Sequence, residues 1–242
     1  MSRYLSRLDL DMIADRYTGR YFKLLQSKPG ELPPIDPILL AEEIVKLNVS
    51  FTPLCDDGSV LGLAVFEDVL LTVCLPNGKI VSYQLSDGDV LIDTGLQQDG
   101  LLGRCNFTIA HEAGHHILNR LFPEEHRQMR NRRTHIMYRR RTESVNWVEW
   151  QADTIASSLL MPRQLIYECM PRFGLGKRID ILNKLYRPKE YQQFCEMADY
   201  LGVSKQALSI RLKQLHLLGK DYLANPNELP RVYCDESDLQ FI

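Results

Sequence analysis

Two histidines four residues apart inside an apolar run are the feature of this chain that leaves the fewest choices open. Residues 111–116 read His-Glu-Ala-Gly-His-His, preceded by Phe107, Ile109 and Ala110 and followed by Ile117, Leu118 and Leu121. The apolar positions form one stripe at helical spacing, which predicts a helix after Gly103. On a helix, positions i and i+4 differ by about 40° around the axis and by about 6 Å along it. His111 and His115 therefore point the same way. Histidines set among apolar residues need partners if they are buried, and a shared metal ion is one that serves both. Glu112 falls on the next row, placed to accept a proton beside such an ion rather than to bind it. Taken alone, H-E-x-x-H fixes only three residues, and it also fits the polar face of an ordinary amphipathic helix.

A tetrahedral site needs a third protein ligand. The H-x-x-G-x-x-H continuation would put glycine at position 118 and histidine at position 121. Leu118 and Leu121 stand there, which excludes that class. A later run, Glu149-Trp150-Gln151-Ala152-Asp153, offers two acids at i and i+4. The small Ala152 and Ala156 would let their helix approach the first one closely. Glu149 would complete a His2Glu set with a fourth position for water. Asp153 could take a hydrogen bond from the other ring nitrogen of a ligating histidine. On spacing alone, both acids also read as ordinary surface charges. His116 points about 100° away from His115 and is expected to be structural or exposed, as are His126 and His216.

The rest of the chain frames these two segments. Residues 7–26 carry near-helical apolar spacing and end at a Pro/Gly-rich stretch through Pro34. Asp36-Pro37 is a helix start, leading through Leu40, Ile44 and Val45. From Phe51 to Thr94 the texture changes to short β-rich runs, Val60–Phe66, Val69–Leu75, Lys79–Leu85 and Val90–Thr94. Turn residues separate them, predicting a small, mostly antiparallel sheet. Helical patterns return at 147–161, stopped by Pro162, and at 188–218. The tail from Asn225 reads as irregular.

With 242 residues the chain can bury one sizeable core plus an appendage. A net charge of −2 gives no overall field for nucleic acid or a membrane surface. The N-terminus is too interrupted by charge for a signal peptide, and no apolar run approaches the roughly 20 residues that span a bilayer. The six scattered cysteines include no C-x-x-C pair, which suits free thiols in a reducing cytoplasm.

The run Gly103-Arg104-Cys105-Asn106-Phe107-Thr108-Ile109-Ala110-His111-Glu112-Ala113-Gly114-His115 resembles the G-R-x-x-F-T-x-A-H-E-x-G-H signature of the ImmA/IrrE metallo-endopeptidases. Glu149-x-x-Ala152-Asp153-x-x-Ala156-x-x-Leu159-Leu160-Met161-Pro162 resembles that family's second block, with Ile155 where the family usually has phenylalanine. The similarity spans about residues 36–218. It implies a zincin-like α+β fold, Zn2+ at His111, His115 and Glu149, and Glu112 as the catalytic base. It also implies a protein substrate, a helix-turn-helix repressor of a mobile element or stress response.

Between the two blocks, residues 126–141 hold seven arginines. That long basic stretch departs from the family pattern. It reads either as a solvated loop or as a surface steering acidic partners. His135 and Tyr138 within it are candidates to stabilise an oxyanion. Residues 197–215 resemble a helix-turn-helix through Ala198, Gly202, Val203 and Leu208. Arg211 stands where that pattern expects an apolar residue, and positive charges are few. A packing or partner-binding module is therefore favoured over a DNA reader. The expected organisation is an N-terminal helical segment (1–35), a metallopeptidase core (36–185) and a helix-turn-helix-like region with its tail (186–242). The competing reading is a DNA- or protein-binding regulator with a structural or sensory metal site.

Overall fold

Helix α1 (Arg7–Leu24) starts at a reciprocal cap: the Ser6 hydroxyl accepts from the Asp9 N–H, and the Asp9 carboxylate accepts from the Ser6 N–H at 2.9 Å. The structure is a computed structural model that describes residues 5–54, 60–74, 78, 80–124, 136–138 and 147–228. Leu10, Ile13 and Tyr21 of α1 are buried, whereas Leu8 and Leu24 of the same sequence stripe face outward. Helix α2 (Pro37–Leu39) is capped by the Asp36 side chain. It then widens into a π turn over Leu40–Val45 and stops at Lys46, whose backbone is left-handed.

Strands β1 (Asn48–Thr52), β2 (Gly62–Val65), β3 (Val69–Cys74), β4 (Ile80–Leu85) and β5 (Asp89–Asp93) follow; β2 to β5 lie close to the expected runs, and β1 was not among them. They do not form one antiparallel sheet. β3 and β4 make a separate hairpin. The larger sheet has the order β1-β5-β2 plus a short strand β6 (Ile136–Tyr138), and β1 runs parallel to β5. The parallel pair arises because β5 reaches β1 only after β2 and the hairpin have intervened. The two faces of β2 separate two clusters, as the period of two requires. Leu63 and Val65 join Leu54, Leu85 and Leu91 beneath the hairpin. Ala64 and Phe66 point the other way, toward Val148.

Helices α3 (Leu102–Leu121) and α4 (Trp147–Leu160) form the centre. Ala110, Ala113 and Ala156 are buried in the main core, and Ala152 is fully buried beside them. A side chain at Gly114 would sit 3.3 Å from the Ala152 carbonyl, so glycine there sets how closely the two helices approach. The helices α5 (Arg163–Arg172), α6 (Pro188–Tyr200) and α7 (Lys205–Gln214) follow. The block expected as helical over 188–218 is thus two helices, turned at Gly202 with φ +63°. They form the crossover between two parallel strands that the sequence reading did not anticipate, β7 (Ile179–Leu182) and β8 (Leu218–Asp221).

One buried cluster takes in Leu10 of α1, Ile109 of α3, Leu159 of α4, Phe194 of α6 and Leu212 of α7. Arg211 lies inside it, 1% exposed. Its Nη1 donates to Asp11 of α1 at 2.8 Å and its Nε to the Met161 carbonyl at 3.0 Å. The Ser158 hydroxyl donates to the same Asp11 oxygen. Among the described residues, no helix is long and apolar enough to cross a membrane.

Candidate metal centre

His111 and His115 are buried on the face of α3 that meets α4. Their Nε2 atoms lie 3.0 Å apart. Glu149, in the first turn of α4, brings Oε2 to 3.2 Å from His111 Nε2 and Oε1 to 3.4 Å from His115 Nε2. A tetrahedral ion with bonds of about 2.0–2.1 Å has ligand–ligand edges of about 3.3 Å. The three separations are close to those edges, with Glu149 facing the two histidines through different carboxylate oxygens, and one ligand atom from each residue lies within 4.8 Å of the others. Two imidazole nitrogens and a carboxylate oxygen are donors suited to a borderline divalent ion. The residues present fit a metal.

Asp153, one turn beyond Glu149, sits 2.9 Å from His111 Nδ1. That contact orients the ring: Nδ1–H donates to the carboxylate, and once Nε2 gives up its own proton its lone pair points to where Glu149 and His115 converge. Glu112 is buried beside them, 1% exposed. His116 is buried too, its ring 4.6 Å from that of Phe66. His216 is exposed, and His126 and His135 lie outside the described residues. Tyr138 is described only as the last residue of β6, opposite Leu63 of β2.

One contributor escaped the sequence reading. A Cβ at Gly62 of β2 would come within 2.7 Å of Glu112 Oε1 and 2.7 Å of Thr108 Cγ2. The strand backbone is thus the floor on which the Glu112 carboxylate rests. In the sequence only its place at the head of an otherwise apolar strand, Gly62-Leu63-Ala64-Val65, hinted at this. Gly62→Ala is expected to lower any activity that uses Glu112 by tenfold or more, on the order expected when a reacting group is displaced by about 1 Å. Metal stoichiometry should stay unchanged; an unaltered rate would show that the floor yields without moving the carboxylate.

The electrostatics of the cluster follow from its contacts. Burial draws the His111 imidazole down, but the hydrogen bonds to Asp153 and Glu149 outweigh it and hold the group up at about 9. Burial pushes Glu149 up, yet hydrogen bonds from both histidines keep it well below the usual carboxylate range. His115 is lowered, first by burial and then by the neighbouring His111 charge. His111's raised value favours the metal-free fold fully below its ordinary 6.5, and that gain is lost as pH rises through about 9. A metal must displace this same proton. Metal affinity is therefore expected to rise about tenfold per pH unit toward pH 9 and then level off. Calorimetry at pH 7 in buffers of different ionisation enthalpy should find about one proton released per ion. Release of none would contradict the charge assignment.

Residues 101–213 match the family model of the IrrE N-terminal-like domain, a peptidase family. This stretch, a little under half of the chain, is similar to that family. The match starts one residue before α3 and ends within α7, so the matched region takes in both histidine- and glutamate-bearing helices and the α6–α7 pair. It is narrower than the span of 36–218 expected from the motifs, and the β1–β5 strands fall outside it. The family glycine of the first block has a packing reason. A Cβ at Gly103 would meet the Ser204 nitrogen at 2.7 Å, and Asn106 Nδ2 donates to the Gly202 carbonyl at 2.9 Å. The start of the histidine helix is pressed onto the α6–α7 turn. No curated protein matches the chain.

Proposed function

We propose that this chain is a zinc-dependent endopeptidase whose substrate is a helix-turn-helix repressor of a mobile element or stress response. The observation that carries the reading is the convergence of His111, His115 and Glu149 on one point, with buried Glu112 beside it. Among the described residues the donor set stops at three, the pattern of a site with an open position rather than a closed structural one. When bound, zinc would supply Lewis acidity for the scissile carbonyl and lower the pKa of water.

The chain's own residues divide the remaining work. His111, His115 and Glu149 hold the ion. Asp153 fixes the tautomer and direction of His111. Glu112 takes a proton from the attacking water and delivers it to the nitrogen of the leaving amine. His135 and Tyr138 stay as candidates for the developing oxyanion. Such a protein would work in the cytoplasm, where repressors are found.

We read α6 and α7 as a packing module rather than a DNA reader. Arg211, a natural cation for a recognition helix, is buried, and Lys213 is tied to Asp221 at 2.6 Å. The full chain is expected to show no salt-sensitive binding to duplex DNA. A binding constant that falls steeply with salt would reverse that reading.

The direct test is to incubate the zinc-loaded chain with the helix-turn-helix protein encoded beside it, with and without a chelator. A discrete fragment that the chelator abolishes is the expected result. Tight binding without cleavage in either condition would favour a partner-binding regulator instead.

A further inference from the structure

Helix α4 is buried along nearly its whole length. Of its residues only Trp147, Glu149, Trp150 and Asp153 reach the surface, each in part. At 100° per residue these four fall on one arc of about 160°. Two are the acids of the metal centre. The other two are the only tryptophans in the sequence. Their rings stack, 4.4 Å apart and 16° from parallel. Trp150 immediately follows Glu149, so it leaves the helix about 1.5 Å along the axis from the metal-facing carboxylate. The Arg7 guanidinium of α1 lies 6.0 Å from the Trp150 ring. On the α3 side, the Phe107 ring lies 6.4 Å from that of His111.

Trp150 rests one side on the main core, yet Val148, Ala152, Ile155 and Leu159 already fill the inner face of α4, and both indoles keep part of their surface in water. Flat apolar surface kept partly in water, next to converging polar groups, is the composition of a ligand site. Stacked indoles offer a rigid surface with little entropy to lose on binding. The adjoining Glu149 and Asp153 carboxylates repel an acidic side chain and leave an apolar one unaffected.

We propose that the Trp147–Trp150 stack is the specificity platform of the site and takes a large apolar, above all aromatic, side chain of an extended peptide lying across the metal centre. The proposal rests on the endopeptidase reading for the identity of that ligand. It names a preference that the ion and Glu112 do not create.

Because the two indoles are the chain's only tryptophans, its fluorescence reports from this one place. The zinc-loaded full chain carrying Glu112→Gln is titrated with two Ala/Ser dodecapeptides, one with a single central phenylalanine and one with serine there. The phenylalanine peptide should shift the emission to shorter wavelength and bind about tenfold more tightly. Trp147→Ala should erase the difference, and Trp147→Phe should retain most of it. With Glu112 intact, the same preference should appear in kcat/KM, mainly through KM. Equal binding of the two peptides, or a preference that survives in Trp147→Ala, overturns the proposal. Should Trp147→Ala not fold, the two-peptide comparison in the otherwise unsubstituted chain decides. Failure of the peptidase reading looks different: the phenylalanine peptide binds through Trp147, but neither peptide is ever cut. Cleavage with no preference would leave the peptidase and remove the platform.

Discussion

Glu112→Gln is expected to lower peptide-bond cleavage by about 10²–10⁴-fold while the protein keeps one metal ion per chain. The two side chains have nearly the same volume, and the space is tight: the carboxylate is buried against the β2 backbone at Gly62. The substitution therefore removes proton acceptance and little else. It leaves His111, His115 and Glu149 in place, so metal analysis and steady-state rates on one peptide separate the roles. A rate within a few-fold of wild type would mean that another group accepts the proton. Loss of the metal would mean that Glu112 belongs to the ligand set.

Arg211→Leu is expected to destabilise the fold by about 3–5 kcal/mol, because it strands a buried partner. Asp11 accepts both Arg211 and the Ser158 hydroxyl, and its side chain is about one-tenth exposed. Without the guanidinium, the carboxylate loses its direct ion pair, and Arg163, already held by Asp15, acts on it only from a distance. The Met161 carbonyl at the end of α4 also loses its donor. Burial lowers the Arg211 pKa, against the pull of Asp11. Against a typical stability of about 5–15 kcal/mol the loss is large. Urea unfolding of the metal-free protein measures it. A cost under about 1 kcal/mol would show that Asp11 finds other partners. The double change Asp11→Leu with Arg211→Met should cost much less than Arg211→Leu alone, since it buries no lone charge.

The sequence made the centre legible because helical geometry is local. The spacing of His111 and His115 dictates a common face, and that of Glu149 and Asp153 does the same one helix later. Ala152 and Ala156 correctly announced a close approach. Three other features depend on contacts between distant residues and left little local trace. The parallel pairing of β1 with β5 spans some forty residues and carries no turn signal. The short strands β7 and β8 are separated by two helices, so neither carried a local strand signal. Gly62 was read as part of a strand, and only its position under Glu112 gives it a role. Arg211 was a misfit already visible in the sequence. The pattern asked for an apolar side chain, and the structure answers with a charge whose partner sits on the first helix, 200 residues earlier.

The close seating of α4 on α3 has a practical consequence. Glu149 is set against the histidines by its own helix and by the contact of Gly114 with Ala152. A bulkier residue at position 114 would pry the carboxylate away from both imidazoles at once. The helix seam thus works as the adjusting screw of the metal site although it supplies no ligand.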